Sequence, residues 1–123
     1  MATNPLKSVK DINGIINILL KKNADSVIAV NQLFDHHPAR IKKIVKGKIV
    51  DFAIKEKLES RRQDLKPNAY IRSGSIYAMS RRFVMNEKRY FSGKSFAYIL
   101  PLKRTINIDD ENDLLIAKLK LQK

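Results

Sequence analysis

Several places in this 123-residue chain set chemically capable side chains close together. His36 and His37 are adjacent and are the only histidines. Neighbouring residues cannot easily wrap one ion, and no cysteine can serve as a further ligand, so a loop role fits them better than a metal site. Ser60-Arg61-Arg62-Gln63 puts two guanidinium groups beside a carboxamide, a rigid array of donors suited to a carboxylate or phosphate. Alone, such a run is more often a solvated loop. Arg40, soon after Pro38, is open to the same two readings. Asn107-Ile108-Asp109 places two oxygen-bearing side chains on one face of an extended segment, because a period of two returns the side chain to the same side. Oxygen ligands at a strand end can hold Mg²⁺, whereas the plainer role for Asp109 is to cap the helix that follows. Tyr90-Phe91 is either core or an apolar wall for a substrate. The chain has no Ser-His-Asp order, P-loop or Gly-x-Gly-x-x-Gly run.

The elements that must carry these residues follow from periodicity. Val9, Ile12, Ile15, Ile16, Leu19 and Leu20 form one apolar stripe and predict a helix over 9–22. Ser8 with Asp11 three residues on resembles a capping box. Ser26 to Asn31 is nearly continuous apolar sequence, as in a strand buried on both faces. A helix followed at once by such a strand is the rhythm of an α/β sheet. Beyond the Asp35-His-His-Pro38 loop, Arg40–Val45 and Lys48–Phe52 flank Lys46-Gly47 as a hairpin. Residues 59–65 read as an ordered loop, and Tyr70–Met79 as a strand interrupted at Gly74. Ser80 caps a short helix near 81–88, Phe96–Leu100 is another strand, and a last helix starts near Asp109 or Asp110. Its acidic first turn and basic last turn both complement the helix dipole.

Composition sets the outer limits. Twenty-five Lys and Arg against 12 Asp and Glu leave +13, which would suit a nucleic acid, a small anionic substrate or an acidic partner. Yet Lys occurs 17 times, Ile 15 and Asn 9, the mark of an A/T-rich coding sequence that raises Lys without functional demand. The basic residues come as scattered pairs. The length fits one domain, no apolar run approaches a bilayer span, and the residues after Met1 do not read as a signal peptide. A cytoplasmic location is the expectation.

The order of these pieces resembles the C-terminal half of the CMP-sialic acid synthetases, the acylneuraminate cytidylyltransferase family. Asn4-Pro5-Leu6-Lys7 is similar to the family's Ser-Pro-Leu-Arg segment, and Asp25–Val30 to its central strand. His36-His37-Pro38 matches closely. Arg62-Gln63 followed by Ser73-Gly74-Ser75-Ile76-Tyr77 stands where the family has Asn-Gly-Ala-Ile-Tyr. Thr105-Ile-Asn-Ile-Asp109 with Asp113 resembles its Ser-Ile-Asp-Ile-Asp ending.

The resemblance implies an α/β fold. It would be the C-terminal part of a Rossmann-like nucleotide-diphospho-sugar transferase sheet with a small hairpin insert used in dimerisation. It implies transfer of CMP from CTP to a nine-carbon sialic-acid-like keto acid, with Mg²⁺, release of pyrophosphate and a homodimeric parent. Arg40 and Arg62 would bind the acidic sugar or phosphate charge. Gln63 and Tyr77 would line the sugar pocket. Tyr90 and Phe91 would pack on the sugar, often from the partner subunit, and Asp109 would hold Mg²⁺. Three departures stand out. The family's first metal-binding Asp is Asn107 here. Met1 falls where many relatives carry a sugar-contacting Gln. The Gly-, Ser- and Lys-containing loop that grips CTP is missing. Residues 1–123 are therefore expected to be the C-terminal portion of one cytidylyltransferase domain, inactive alone. The runner-up is a small basic nucleic-acid-binding domain. Neither a membrane nor a nucleic acid is the expected partner of the first reading.

Overall fold

The computed structural model describes residues 3–56 and 61–122. The chain divides into two compact units, Met1–Asn31 with Arg72–Lys123, and Gln32–Ile71. The larger unit opens with helix α1 (Val9–Lys21), whose start is set by the Ser8–Asp11 capping box. The Asp11 carboxylate accepts the Ser8 amide at 2.9 Å, and the Asp11 amide donates back to the Ser8 hydroxyl, so two free donors of the first turn are satisfied. The apolar stripe read from the sequence is divided in three dimensions. Ile15 is fully buried and Ile18 and Leu19 pack beside it, while Val9, Ile12, Ile16 and Leu20 stay exposed.

Strand β1 (Ser26–Leu33) follows α1 directly. Val27, Ile28 and Ala29 are at most 2% exposed, which is what a strand covered on both faces requires. β1 is the middle strand of a mixed three-stranded sheet, flanked by β4 (Ala69–Met79) and β5 (Ser95–Ile99). β5 runs parallel to it, from Ser26 opposite Ser95 to Val30 opposite Ile99. The cover on both faces ends at the centre, because Phe96, Ala97 and Ile99 of β5 are exposed. The core is Ile15, Ala24, Val27 and Ala29, closed over by Ile76, Ala78 and Tyr98.

Gly14 explains how closely α1 and β5 approach. A Cβ there would stand 2.6 Å from the Tyr98 ring, so only glycine lets the helix settle on that aromatic edge. β4 continues through Gly74, whose φ of +69° lies outside the reach of most side chains. Two further helices complete this unit. Ser80 caps α2 (Arg81–Glu87), and Asp110 caps α3 (Glu111–Leu121).

The smaller unit contains the hairpin β2 (Lys42–Val45) and β3 (Lys48–Asp51), paired from Lys42 opposite Asp51 to Val45 opposite Lys48. Its turn residues Lys46 and Gly47 both have positive φ, the requirement of a tight turn whose twist matches the strands. The first strand starts at Lys42 rather than Arg40, because Pro38–Arg40 forms a 3₁₀ turn. A second 3₁₀ turn, Arg62–Asp64, occupies the segment expected to be an ordered loop. Residues 57–60 lie outside the described residues. No helix is long and apolar enough to cross a membrane among the described residues.

Candidate functional site

In open α/β sheets ligands gather beyond the carboxyl ends of parallel strands, and here that end of β1 and β5 carries a tightly tied segment. Asn31, 4% exposed, donates its amide to the Leu100 carbonyl at 3.0 Å and to the Thr105 hydroxyl at 2.6 Å. The Thr105 hydroxyl donates in turn to the Pro101 carbonyl. Lys120 of α3 donates to the Thr105 carbonyl at 2.9 Å, and the Ile108 amide donates to the Thr3 carbonyl. Residues 105–108 are therefore fixed from three sides, and Asn107 and Asp109 project at the surface.

Behind this segment lies a cluster of which the sequence shows only the capping box. The Asp11 carboxylate is fully buried. It accepts two hydrogen bonds from the Arg104 guanidinium, at 2.9 and 2.7 Å, and one from the Tyr98 hydroxyl at 3.0 Å. The Arg104 fork, with the Ser8 donors, holds the Asp11 carboxyl well below the usual carboxylate range against the opposing effect of burial. Burial, and then the Asp11 carboxylate, push the Tyr98 hydroxyl up. The cluster links the start of α1, β5 and the 3₁₀ turn Leu102–Arg104. Its only sequence signal is an acid inside an apolar helix start, with an arginine 93 positions later.

The expected site residues fall into three groups. Tyr77 and Tyr90 meet with ring centroids 5.7 Å apart, and the Arg72 guanidinium lies 5.9 Å from the Phe91 ring centre. The Tyr90 carbonyl accepts the Ser26 hydroxyl, which places it at the amino end of β1. Asn31, whose amide holds Thr105, is five residues further along that strand, about 16 Å away at the ordinary strand rise. One copy of the chain therefore keeps the Tyr77–Tyr90 pair and the 105–109 segment at opposite ends of β1. Arg40 and Gln63 belong to the other unit. Both are exposed in 3₁₀ turns. The Arg62 backbone lies in the same turn as Gln63, while its side chain and Ser60 lie outside the described residues. Arg61 pairs with Asp64 at 3.4 Å across exposed surface, an interaction of small worth.

His37 is 3% exposed. Its Nδ1 accepts the Ala39 amide, so its Nε2 carries the proton and donates to the Pro67 carbonyl at 2.8 Å. Both ring nitrogens are used within the chain, as a loop role requires. Near the amino end of β1 there is also a cavity of about 420 Å³ bordered by Asp25, Arg82, Asn86, Glu87, Arg89 and Ser92. No motif in the sequence points to it. Its arginines are already engaged, Arg82 with Asp25 at 3.7 Å and Arg89 with Glu87.

Asn107 and Asp109 do come together, but in a particular sense. The Asn107 amide donates to an Asp109 carboxylate oxygen at 2.7 Å. The helix cap falls to Asp110, which accepts the Asp113 amide, while the Asp113 carboxylate accepts the Asp109 amide. A divalent cation such as Mg²⁺ takes oxygen ligands only. Here Asn107 turns its N–H group inward, and no cluster of three metal-ligating acids or histidines exists among the described residues. The residues present do not fit the ion.

Comparison with known proteins agrees with the order of motifs. No family model matches the chain. It is 25% identical over 114 residues to the N-acylneuraminate cytidylyltransferases of Streptococcus agalactiae serotype III and serotype Ia. The match covers 92% of this chain and 27% of each relative. The chain thus bears a distant similarity, along nearly its whole length, to about a quarter of an N-acylneuraminate cytidylyltransferase.

Proposed function

We propose that these residues form the sugar-side portion of a cytidylyltransferase that transfers CMP from CTP to a sialic-acid-like nonulosonic acid, releasing pyrophosphate. The observation that carries this reading is the similarity over 92% of the chain to N-acylneuraminate cytidylyltransferases. The fixed segment 105–109 beyond the carboxyl ends of β1 and β5 supports it, because that is where such sheets bind ligands. The mixed sheet would then be the C-terminal part of a larger Rossmann-like sheet, with the β2–β3 hairpin as its dimerisation insert.

In this reading Arg40 and Arg62 supply positive charge to the sugar carboxylate or the phosphates, where negative charge develops. Gln63 and Tyr77 line the sugar pocket. Tyr90 and Phe91 pack on the sugar bound to a second copy, which accounts for their distance from residues 105–109 along β1. The 123 residues hold no Gly-rich phosphate loop, so gripping CTP falls to residues outside them. Nucleotidyltransferases of this kind generally work with a divalent metal, and the roles given to these side chains do not depend on one.

Calorimetric titration of the chain with CMP-sialic acid and with CMP tests the proposal. CMP-sialic acid is expected to bind saturably through its sugar and CMP alone far more weakly, and Arg62→Ala is expected to weaken CMP-sialic acid about tenfold or more with the melting temperature unchanged, since a charge-assisted hydrogen bond contributes roughly 1.5–3 kcal/mol. A loss of binding matched by a fall in the melting temperature would make Arg62 a structural residue. Binding of DNA with a steep salt dependence, and no binding of the sugar nucleotide, would replace the proposal with a basic nucleic-acid-binding domain.

A further inference from the structure

We infer that Asn107 closes the 107–113 segment to divalent cations, making it an anchor for α3 in place of a metal site. Three of the four carboxylates of the segment, those of Asp109, Asp110 and Asp113, already accept a hydrogen bond within it. Asp109 accepts the Asn107 amide at 2.7 Å, Asp113 accepts the Asp109 amide at 3.1 Å, and Asp110 accepts the Asp113 amide at 2.9 Å. The last two bonds are the start of a helix, satisfying amides that would otherwise lack partners.

The first bond decides the ion chemistry. An amide offers either its N–H₂ or its oxygen to a neighbour. With the oxygen turned inward, two acceptors would face each other at 2.7 Å, an arrangement that only a cation between them would relieve. With the N–H₂ turned inward the carboxylate is satisfied at no cost of stripping water from the ion, and Mg²⁺ gives up water reluctantly. A second carboxylate at position 107 could not donate. It would leave two like charges side by side and so favour a cation. Asn107 therefore does locally what a bound ion would do, placing positive hydrogens against the Asp109 charge.

The inference rests on the cytidylyltransferase reading only for the expectation of a metal; the hydrogen bonds stand without it. The test is Mn²⁺ binding, followed by electron paramagnetic resonance, to the 123-residue chain, to Asn107→Asp, and to Asn107→Asp combined with Asp109→Asn. The position of the Asn107 side-chain amide signal in nuclear magnetic resonance, with and without Mg²⁺, gives a second readout. The unaltered chain is expected to show no saturable site up to about 10 mM metal and an Asn107 signal that Mg²⁺ does not move, because the Asp109 carboxylate faces an amide N–H where a second oxygen ligand would stand. Asn107→Asp is expected to bind at least about tenfold more tightly, and the double variant to lose that gain. Saturable binding by the unaltered chain that Asp109→Asn abolishes would overturn the inference, as would Asn107→Asp gaining nothing. Failure to bind CMP-sialic acid would count against the functional reading alone and leave this result standing.

Discussion

Asp11 is the residue on which most of the larger unit's polar organisation converges. It accepts from Ser8, Arg104 and Tyr98 at once, so removing its charge strands a guanidinium and a hydroxyl in partly buried surroundings. Asp11→Asn is expected to cost about 2 kcal/mol in urea unfolding at neutral pH, within the range for hydrogen bonds to charged groups. Because the folded-state carboxyl lies well below its ordinary range, its contribution is present above the unfolded value, about pH 4. It is lost as pH falls below that. Unaltered protein should therefore lose melting temperature steeply below about pH 4, while Asp11→Asn starts lower and loses less over the same interval. Parallel curves for the two proteins would show that other carboxylates govern acid unfolding.

Among the elements, the α1–β5 contact is the one whose geometry admits least change. In an exposed helix, Gly→Ala stabilises by roughly 1 kcal/mol. Gly14 should show the opposite sign, because the added methyl meets the Tyr98 ring at 2.6 Å and the Tyr98 hydroxyl is anchored on Asp11. Overpacking of this sort costs about 1–3 kcal/mol. Thermal melts provide the check: Gly14→Ala should lower the melting temperature of the unaltered chain but not that of Tyr98→Leu, which lacks the ring. The hairpin teaches a different lesson. Lys46-Gly47 between the Ile44-Val45 and Ile49-Val50 pairs is enough to place it, since a two-residue turn with positive φ at both positions leaves little freedom in register.

On the scale of the whole molecule, apolar surface is spread widely. Phe96 and Ile99 of β5, and Leu114, Leu115, Ile116 and Leu119 of α3, are all more than a third exposed. β4 and β5 are also the outer strands of the sheet, whose edges invite pairing. Sedimentation velocity of the purified chain should show a coefficient that rises with loading concentration. Ile99→Lys should reduce that rise, because a charge on an edge strand opposes pairing. A single concentration-independent monomer would mean that these faces are tolerated in water.

The amino-acid sequence by itself determined the local elements: α1 from its stripe and Ser8–Asp11 box, the buried β1, the Lys46-Gly47 hairpin, and caps at Ser80 and the acidic start of α3. Each depends on neighbours a few residues apart, where periodicity, capping and turn chemistry act. It also carries the distant similarity to N-acylneuraminate cytidylyltransferases over 92% of the chain. Tertiary structure decided what depends on residues far apart. It showed that Ile15, with Leu19 beside it, is the part of the α1 stripe that enters the core, and gave Asp11 its partner 93 positions away. It separated the Tyr77–Tyr90 pair from residues 105–109 by the length of β1, and assigned the α3 cap to Asp110. It also turned the Asn107 amide toward Asp109. Residue type says that an amide can offer an oxygen or a hydrogen; only the fold around it selects which one faces the charge.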